Sequence, residues 1–324
     1  MTMPATPSPT DTSPTLTNLN WPIAAAMIQY ANILPDGSSV QDQSAEQWAE
    51  TVSDVSGAGF TEIDPTDSWI RIADLAPSRR REFLAVLRDA GLTIPAISTA
   101  RRSIIDPEHG AAYLEYSHRL LDVAAEIGAA HVSFGLFGPL TEAQKTVTWF
   151  WTVDGVKNPD DPATYRRAVQ GYQELGRHAE SVGVDIALEM YEDTYVGSAD
   201  GAVRFLRDID HPAVGLNPDL GNLIRLHRPI ERWQSMVEKT MPFVKYWHAK
   251  NYFRDEVEAE GFIATSPAPL ELGLISYRVA VKAAIAHGFR GAFCVEHYGG
   301  DGLSVCASNR EYLRRILPKS IAPT

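Results

Sequence analysis

The sequence predicts an α/β fold, namely a (β/α)8 TIM barrel that forms a single domain. Eight short apolar segments alternate along the chain with longer amphipathic stretches, as expected for repeated βα units. No Gly-rich phosphate-binding fingerprint follows the first apolar segment, which argues against an open doubly wound sheet. At 324 residues and 44% hydrophobic content, the chain is long enough for one barrel of roughly 250 residues plus extensions.

The N-terminal residues differ in composition from the rest of the chain. Residues 1–20 are rich in Pro, Ser and Thr and contain few large apolar side chains. Such a segment buries too little apolar surface to offset the entropy lost on ordering, so we predict a disordered tail over residues 1–20. The barrel is predicted to occupy residues 21–324.

The first half of the chain contains four predicted strands, and each is a run of apolar and β-branched residues. The strands are predicted at 23–30, 60–64, 92–99 and 129–137. Amphipathic helices are predicted between them at 44–58, 77–90 and 107–127. Asp106 and Pro107 would supply the N-cap and the first-turn proline of the third helix.

The second half repeats the same pattern with four more apolar runs. These strands are predicted at 184–190, 213–217, 244–250 and 291–297. The accompanying helices are predicted at 162–182, 198–209, 229–239, 275–287 and 307–316. Several of the turns that lead into strands contain Gly, which is a common residue at the C-terminal end of a helix.

A polar residue stands at the end of each of the last four predicted strands: Glu189, Asp219, His248 and Glu296. The active sites of TIM barrels lie at this end of the strands. Burying three carboxylates and an imidazole together costs several kcal/mol or more unless a cation neutralises them. A single acid at a strand end is usually a helix cap or a surface charge, but four at corresponding ends indicate a site for one divalent metal.

Strand alternation adds a lysine to this candidate site. Because side chains two residues apart point to the same face of a strand, Lys250 should point into the barrel if His248 does. We predict a catalytic role for Lys250, with simple pairing to a carboxylate as the alternative. By the same argument Cys294 points inward beside Glu296, where it is interpreted as a packing residue.

The chemistry of such a site can be argued from the residues alone. Hard oxygen ligands suit Mn²⁺ or Mg²⁺, and the ion would keep open positions for a ketone and its adjacent hydroxyl. The ion would polarise the carbonyl, and a glutamate such as Glu189 or Glu296 would remove the neighbouring proton. Return of the proton to the other face gives epimerisation, whereas expulsion of an aromatic group gives elimination. The metal site alone does not choose between them.

Two long connections flank the predicted site. The connection at 138–166 carries Trp149 and Trp151 on either side of Phe150. We predict that Trp149 and Trp151 contact the substrate by stacking on a sugar ring or an aglycone, with a partner interface or a self-packed loop as alternatives. The second connection, at 252–272, would cover the substrate or form an interface.

Composition excludes several classes of partner and function. The net charge of −12 argues against nucleic acid or an anionic membrane surface. No long apolar run or signal-peptide pattern is present, so we expect a cytoplasmic protein. An abasic-site endonuclease would need more metal ligands and a basic surface. A non-catalytic scaffold would not need the four polar residues.

The motifs around the four residues, including HAKNYFR after the seventh strand, resemble those of the xylose-isomerase-like superfamily over residues 22–317. The resemblance implies that Glu189, Asp219, His248 and Glu296 bind one divalent metal, with Mn²⁺ favoured and Mg²⁺ or Co²⁺ as alternatives. It also implies that both glutamates move the proton and that Arg254 contacts the substrate. Many members carry DxxH after strand six. Here the motif is DLGN, and Asn222 stands at the position of that histidine. The resemblance therefore implies that an amide, and not an imidazole, makes the hydrogen bond to the substrate.

A narrower resemblance is to the metal-bearing α subunit of bacterial C-glycoside deglycosidases. It is carried by the motifs EMYEDTYVGSADGAVRFL, VGLNPDLGNLIRLHRPIE and YWHAKNYFRDE. This resemblance implies a lyase that cleaves the C-glycosidic bond of 3-oxo-C-glycosides and assembles with a small β-rich second subunit. The alternative is a metal-dependent sugar isomerase or 3-epimerase that acts on ketoses or keto-sugars.

Overall fold

The structure, a computed structural model, describes residues 15–321. Within them, strands β1–β10 are Ile23–Ala26, Ile63–Asp64, Ala96–Ser98, His131–Phe134, Asp185–Glu189, Val214–Asn217, Trp247–Ala249, Asn251–Val257, Phe262–Ala268 and Phe293–Val295. Helices α1–α10 are Ala45–Gly57, Pro77–Asp89, Gly110–Ile127, Glu142–Lys145, Pro162–Val182, Ala199–Ile209, Gly221–Ile224, Trp233–Thr240, Tyr277–Ala286 and Gly302–Ile316. None of the helices in this part of the chain has the length and apolar character needed to cross a bilayer.

Eight parallel strands close into a barrel. Hydrogen bonds join β2, β1, β10 and β7 in one run and β3, β4, β5 and β6 in another. Parallel bridges from Glu62 to Thr93 and from Leu216 to Val244 connect the two runs. The predicted (β/α)8 TIM barrel is therefore confirmed, and each predicted strand overlaps one observed strand.

Three helices begin three or more residues from their predicted starts, and one of them is α8, which begins at Trp233 and not at residue 229. The third helix starts at Gly110 and not at Pro107, because the Asp106 carboxylate accepts the backbone N–H groups of Glu108 and His109 and holds a turn before the helix. The last helix starts earlier than predicted, at Gly302. Its first turn is capped by Asp301, which accepts the backbone N–H of Ser304.

The two long connections contain regular structure. Most of the predicted loop at 252–272 is an antiparallel hairpin, in which β8 and β9 pair from Asn251 with Ala268 to Val257 with Phe262. Gly261 allows the tight turn because its φ of 62° is unfavourable for residues with a side chain. The connection at 138–166 contains the short helix α4 and a 3-10 turn at 150–152.

The predicted N-terminal tail is only partly within the described residues. Residues 1–14 lie outside them. Of the remainder, Leu16 forms an antiparallel bridge with Ile321, and the Asn18 side chain donates to the backbone carbonyl of Arg314. Arg314 in turn donates to the carbonyls of Asn18 and Trp21. Residues 15–20 therefore pack against the C-terminal helix, because α10 supplies them with hydrogen-bond partners.

The barrel interior is filled mostly by small side chains. One buried cluster inside the strands consists of Ala26, Ala96, Ala187, Tyr246, Ala292 and Cys294. The large apolar residues pack mainly between the strands and the surrounding helices. Small residues in the interior leave room for Tyr246 and for the polar side chains above it, at the C-terminal ends of the strands.

Candidate metal and substrate site

The four polar strand-end residues come together at one end of the barrel. Glu189 is the last residue of β5, His248 lies in β7, and Asp219 and Glu296 follow β6 and β10. All four are buried. The His248 Nδ1 atom lies 3.4 Å from a Glu296 oxygen and 3.9 Å from oxygens of both Glu189 and Asp219. A single imidazole nitrogen therefore faces three carboxylates.

Hydrogen bonds behind His248 determine which of its ring nitrogens is free. The Ser98 hydroxyl donates to Asp64 at 2.6 Å, and it lies 2.9 Å from His248 Nε2. Because that hydroxyl has only one hydrogen, Nε2 must donate its proton to Ser98. In the neutral imidazole, Nδ1 then carries a lone pair that points towards the carboxylates. Such support is common behind a histidine that binds metal.

Lys250 lies between two of the carboxylates, on the side of the strand predicted from its spacing. Its ammonium is 2.8 Å from Asp219 Oδ2 and 2.7 Å from Glu296 Oε1. The side chain is 3% exposed. The Tyr277 hydroxyl accepts the Lys250 backbone N–H and donates to the Lys250 carbonyl, so the backbone is fixed as well. Lys250 is therefore the built-in cation of the cluster.

The pKa values of the three carboxyl groups differ. Burial raises the pKa of Glu189 to about 7, although His248 opposes the shift. Burial also raises the pKa of Asp219. For Glu296, the nearby Lys250 and His248 overcome the effect of burial and hold the pKa well below its usual value. The single positive charge of Lys250 thus does not neutralise all three carboxylates. The uncompensated negative charge is greatest at Glu189.

These residues fit a divalent cation. His248 Nδ1 and Asp219 Oδ1 are buried and have no hydrogen-bond partner. An unsatisfied buried polar atom costs about 1–3 kcal/mol, and more when it is charged. One metal ion bound by Glu189, Asp219, His248 and Glu296 would satisfy both atoms and supply the missing positive charge. Oxygen and imidazole donors suit Mn²⁺ and Mg²⁺ among other divalent ions.

A second group of potential ligands lies behind the first but is less suitable. Asp64 and Cys294 lie close to His248 on its Nε2 side. The Asp64 carboxylate already accepts hydrogen bonds from the Ser98 backbone, the Ser98 hydroxyl and the Tyr246 hydroxyl. Burial raises the pKa of the Cys294 thiol well above its usual value, which disfavours the thiolate that a metal would need. This group therefore supports His248 and is a less suitable metal site than Glu189, Asp219 and His248, whose potential ligand atoms lie within 4.8 Å of one another.

Asn222 lies beside the quartet, on the short helix α7. Its amide nitrogen donates to Glu189 Oε1 and to the Met190 carbonyl, both at 3.0 Å. Its amide oxygen is buried without a partner. Asn222 thus orients a metal-ligand candidate and still presents a free hydrogen-bond acceptor.

The structure gives Arg254 several protein partners, and its predicted substrate contact stays a prediction. Its guanidinium donates to the backbone carbonyls of Ile224, Leu226 and Arg228, and also to the Glu256 carboxylate. The prediction assumed a loop after His248. Because β8 continues as a hairpin strand, the side chain instead reaches the end of α7. Because its guanidinium donates to backbone carbonyls at the end of α7 and just after it, Arg254 holds these residues in place.

The tryptophans of the long connection reach the same end of the barrel. Trp149 and Trp151 stack with their ring centroids 5.0 Å apart. Trp151 is buried, donates to the Thr265 hydroxyl, and packs against Tyr252 and Tyr298. Tyr298 is in turn a neighbour of Lys250, whose ammonium lies 5.2 Å from the ring centroid. The tryptophans therefore lie over the site, with Trp151 deeper than Trp149.

The sequence interpretation missed a buried arginine. Arg225 follows α7 and has no solvent exposure. One guanidinium nitrogen donates to both carboxylate oxygens of Glu192, at 2.9 and 3.0 Å. Burial would lower the pKa of Arg225, but Glu192 and nearby tyrosines hold it well above its usual value, so the arginine is charged. No sequence signal marked Arg225, whereas Asp64 carried the same signal as the quartet, an acid at a strand end.

Comparison with known proteins identifies the family. The model of the xylose isomerase-like TIM barrel family matches residues 52–316. The chain belongs to this family. A member of known structure, a xylose isomerase-like TIM barrel protein from Mycobacterium smegmatis, was solved in complex with magnesium. It is 46% identical to this chain, over 93% of this chain and 98% of that one, with a TM-score of 0.90.

More distant similarities lead to sugar epimerases. A D-psicose 3-epimerase from Ruminiclostridium cellulolyticum is 31% identical over 65 residues, and the match spans only 22% of that relative. The structure of a 3-keto-D-glucoside 4-epimerase from E. coli is 14% identical over 90% of this chain and 98% of that one, with a TM-score of 0.61. At that identity the likeness establishes the fold alone. Sugar epimerases are thus among the proteins whose fold this chain shares.

Proposed function

We propose that this protein is a divalent-metal-dependent enzyme that moves a proton next to the carbonyl of a keto-sugar, as an isomerase or epimerase. The observation that carries the proposal is a pair of unpartnered buried atoms: Asp219 Oδ1, and His248 Nδ1, which faces carboxylate oxygens of Asp219 and Glu296. The sugar epimerases among the similar proteins favour this reaction over other uses of a metal site. Magnesium in the related mycobacterial structure favours a hard divalent ion.

The two glutamates are suited to different parts of the proton transfer. A bound divalent cation would polarise the carbonyl and stabilise the negative charge that develops when the neighbouring proton leaves. Glu189 accepts only an amide hydrogen bond at Oε1, and its pKa of about 7 suits a group that takes up and returns a proton. Glu296 stays ionised beside Lys250. Lys250 holds a proton next to Glu296 Oε1, where it would serve as the donor on that side.

Epimerisation needs proton-transfer groups on two faces of the substrate. Glu189 and Glu296 come from β5 and β10, which are separated in the barrel by β6 and β7. The two carboxylates therefore approach the site from different strands. This separation is what a reaction with removal on one face and return on the other requires.

A time course by NMR in D₂O tests the proposal. The manganese-loaded protein is given a set of ketoses and keto-sugars, with Glu189→Gln as the matched inactive control. We expect deuterium to appear at the carbon next to the carbonyl of an isomerised or epimerised sugar. If the loaded protein exchanges no proton of any keto-sugar offered, the proposed reaction is wrong.

Cleavage of 3-oxo-C-glycosides is a second candidate reaction at the same site. The observation that favours it is the group of aromatic side chains over the site, in which Trp151 packs against both Tyr252 and Tyr298. An aromatic aglycone would stack well on such a surface. In the same NMR experiment, run with and without a candidate second subunit, release of free aglycone from a 3-oxo-C-glycoside would support the lyase reaction, and a glycoside that stays intact under both conditions would contradict it.

The lyase reaction would also require a second subunit. The hairpin of β8 and β9 exposes Phe253, Val257 and Phe262, whose side chains are 45%, 42% and 51% exposed. We propose this apolar surface as the binding place for a small β-rich partner. Activity that appears only when a candidate partner is added would support this assembly, whereas full activity of the isolated chain would contradict it.

A further inference from the structure

Arg225 is held in a position that structural packing does not fully explain. It lies three residues after Asn222, so both side chains project from the same side of the helical turn. Asn222 contacts Glu189 directly. The Arg225 guanidinium carbon lies 4.8–6.0 Å from four aromatic ring centroids, those of Phe150, Trp151, Tyr191 and Tyr298. Arg225 is thus enclosed by aromatic rings beside the candidate metal ligands.

The hydrogen-bonding capacity of Arg225 is only partly used. Glu192 accepts from one terminal nitrogen, while Nε and the other terminal nitrogen have no partner. The amide oxygen of Asn222 is also buried without a partner. Buried donors and acceptors are rarely left unpaired unless a ligand completes them. Here Arg225 and Asn222, three residues apart, leave donors and an acceptor free.

We propose that Arg225 binds oxygen atoms of the substrate at the end remote from the carbonyl, and so determines which sugars are accepted. This inference rests on the proposed function. Glu192 already neutralises Arg225, and Lys250 is engaged by Asp219 and Glu296. Neither of these two cations is therefore free to pair with a phosphate or carboxylate. At Arg225 the substrate would present uncharged hydroxyl groups, which both donate to Asn222 and accept from Arg225.

The test compares two ligands and one conservative substitution. Arg225→Lys keeps a cation beside Glu192 but lacks the forked donors. D-Fructose offers a ketone with an adjacent hydroxyl and further hydroxyls, whereas dihydroxyacetone offers the ketone and its adjacent hydroxyls alone. Binding to the manganese-loaded protein is measured by isothermal titration, and KM and kcat are measured for D-fructose where turnover occurs. The control is Arg228→Lys, a 42% exposed arginine paired with Asp193 just after the same helix.

We expect Arg225→Lys to weaken D-fructose binding about 10- to 100-fold, the value of one or two hydrogen bonds to a charged donor. Its affinity for dihydroxyacetone, its manganese stoichiometry and its melting temperature should match the wild type. If wild type and Arg225→Lys bind D-fructose with equal affinity, the inference is wrong, but the proposed function stays intact. The same holds if Arg225→Lys binds D-fructose and dihydroxyacetone more weakly by the same factor. A wild type that binds neither ligand and exchanges no substrate proton would overturn both.

Discussion

Replacing Lys250 by Met tests whether the acidic cluster depends on a cation. The methionine keeps most of the buried stem, but Asp219 and Glu296 lose the ammonium at 2.8 and 2.7 Å. Removing one partner of a buried ion pair costs about 3–5 kcal/mol, because the remaining charge is left buried. Since Lys250 is 3% exposed and serves two carboxylates, we expect a loss in this range for protein treated with EDTA.

Metal should compensate for the missing lysine. A divalent ion would supply the positive charge that Asp219 and Glu296 have lost, so the variant should bind Mn²⁺ more tightly than the wild type. At a free Mn²⁺ concentration 100 times the Kd, binding stabilises a protein by about 2.7 kcal/mol, and each tenfold gain in affinity adds about 1.4 kcal/mol. We therefore expect Mn²⁺ to raise the stability of Lys250→Met by more than it raises that of the wild type.

The assay is urea unfolding followed by circular dichroism, with and without Mn²⁺. The matched control is Lys239→Met, because Lys239 also lies between two carboxylates, Asp200 at 2.9 Å and Glu231 at 2.7 Å, but is 35% exposed. Such a surface network contributes little to stability, because solvent screens its charges. The reasoning is refuted if Lys250→Met is as stable as the control in EDTA, or if Mn²⁺ stabilises wild type and variant equally.

Three further predictions concern the same end of the barrel. Glu189→Gln and Glu296→Gln should each abolish turnover with an unchanged circular dichroism spectrum, and an active, metal-loaded double variant would contradict the assigned roles. Mn²⁺ affinity should rise between about pH 6 and pH 8, by up to tenfold per unit, because the Glu189 carboxyl with its pKa of about 7 must lose its proton before it binds metal. The nearby carboxylates overcome burial and hold the pKa of the His248 imidazole well above its usual value, so its proton extends the rise to higher pH. Titration calorimetry at several pH values measures this, and a flat affinity would show that no proton competes with the metal. Gly221→Ala should lower the free energy of unfolding by about 1–3 kcal/mol, because the new Cβ would lie 2.3 Å from Lys250 Cγ. Unfolding in urea checks it, and unchanged stability would mean that Lys250 has room to move.

The barrel and the quartet were accessible from the sequence because their signals are local. Each strand is a short apolar run, and each quartet residue stands where such a run ends, as Glu189 does at the end of β5. Lys250 followed from the two-residue period of a strand. Asp64 carries the same signal at the end of β2, but its carboxylate accepts hydrogen bonds from Ser98, in β3, and from Tyr246, just before β7, so it supports the site instead.

The surroundings of the quartet depend on contacts between distant segments, which a single sequence does not reveal. Arg254 was expected at the substrate because it follows His248 by six residues, yet pairing of β8 with β9 turns it towards the end of α7. Arg225 looks like an ordinary basic residue in a polar stretch. Its burial requires both Glu192 and the folding of residues 138–166 over it.

The closure of the barrel has a consequence for the order of folding. The strand β1 pairs with β10, about 270 residues later, through Ile23 with Phe293 and Ala24 with Cys294. During synthesis β1 can find only β2, and the ring of strands stays open until β10 has left the ribosome. Contacts between such distant segments form slowly, because the loop-closure entropy comes before any pairing is gained. Glu296 directly follows β10, so the acidic cluster is assembled at the final step, and until then its buried charges can remain in water.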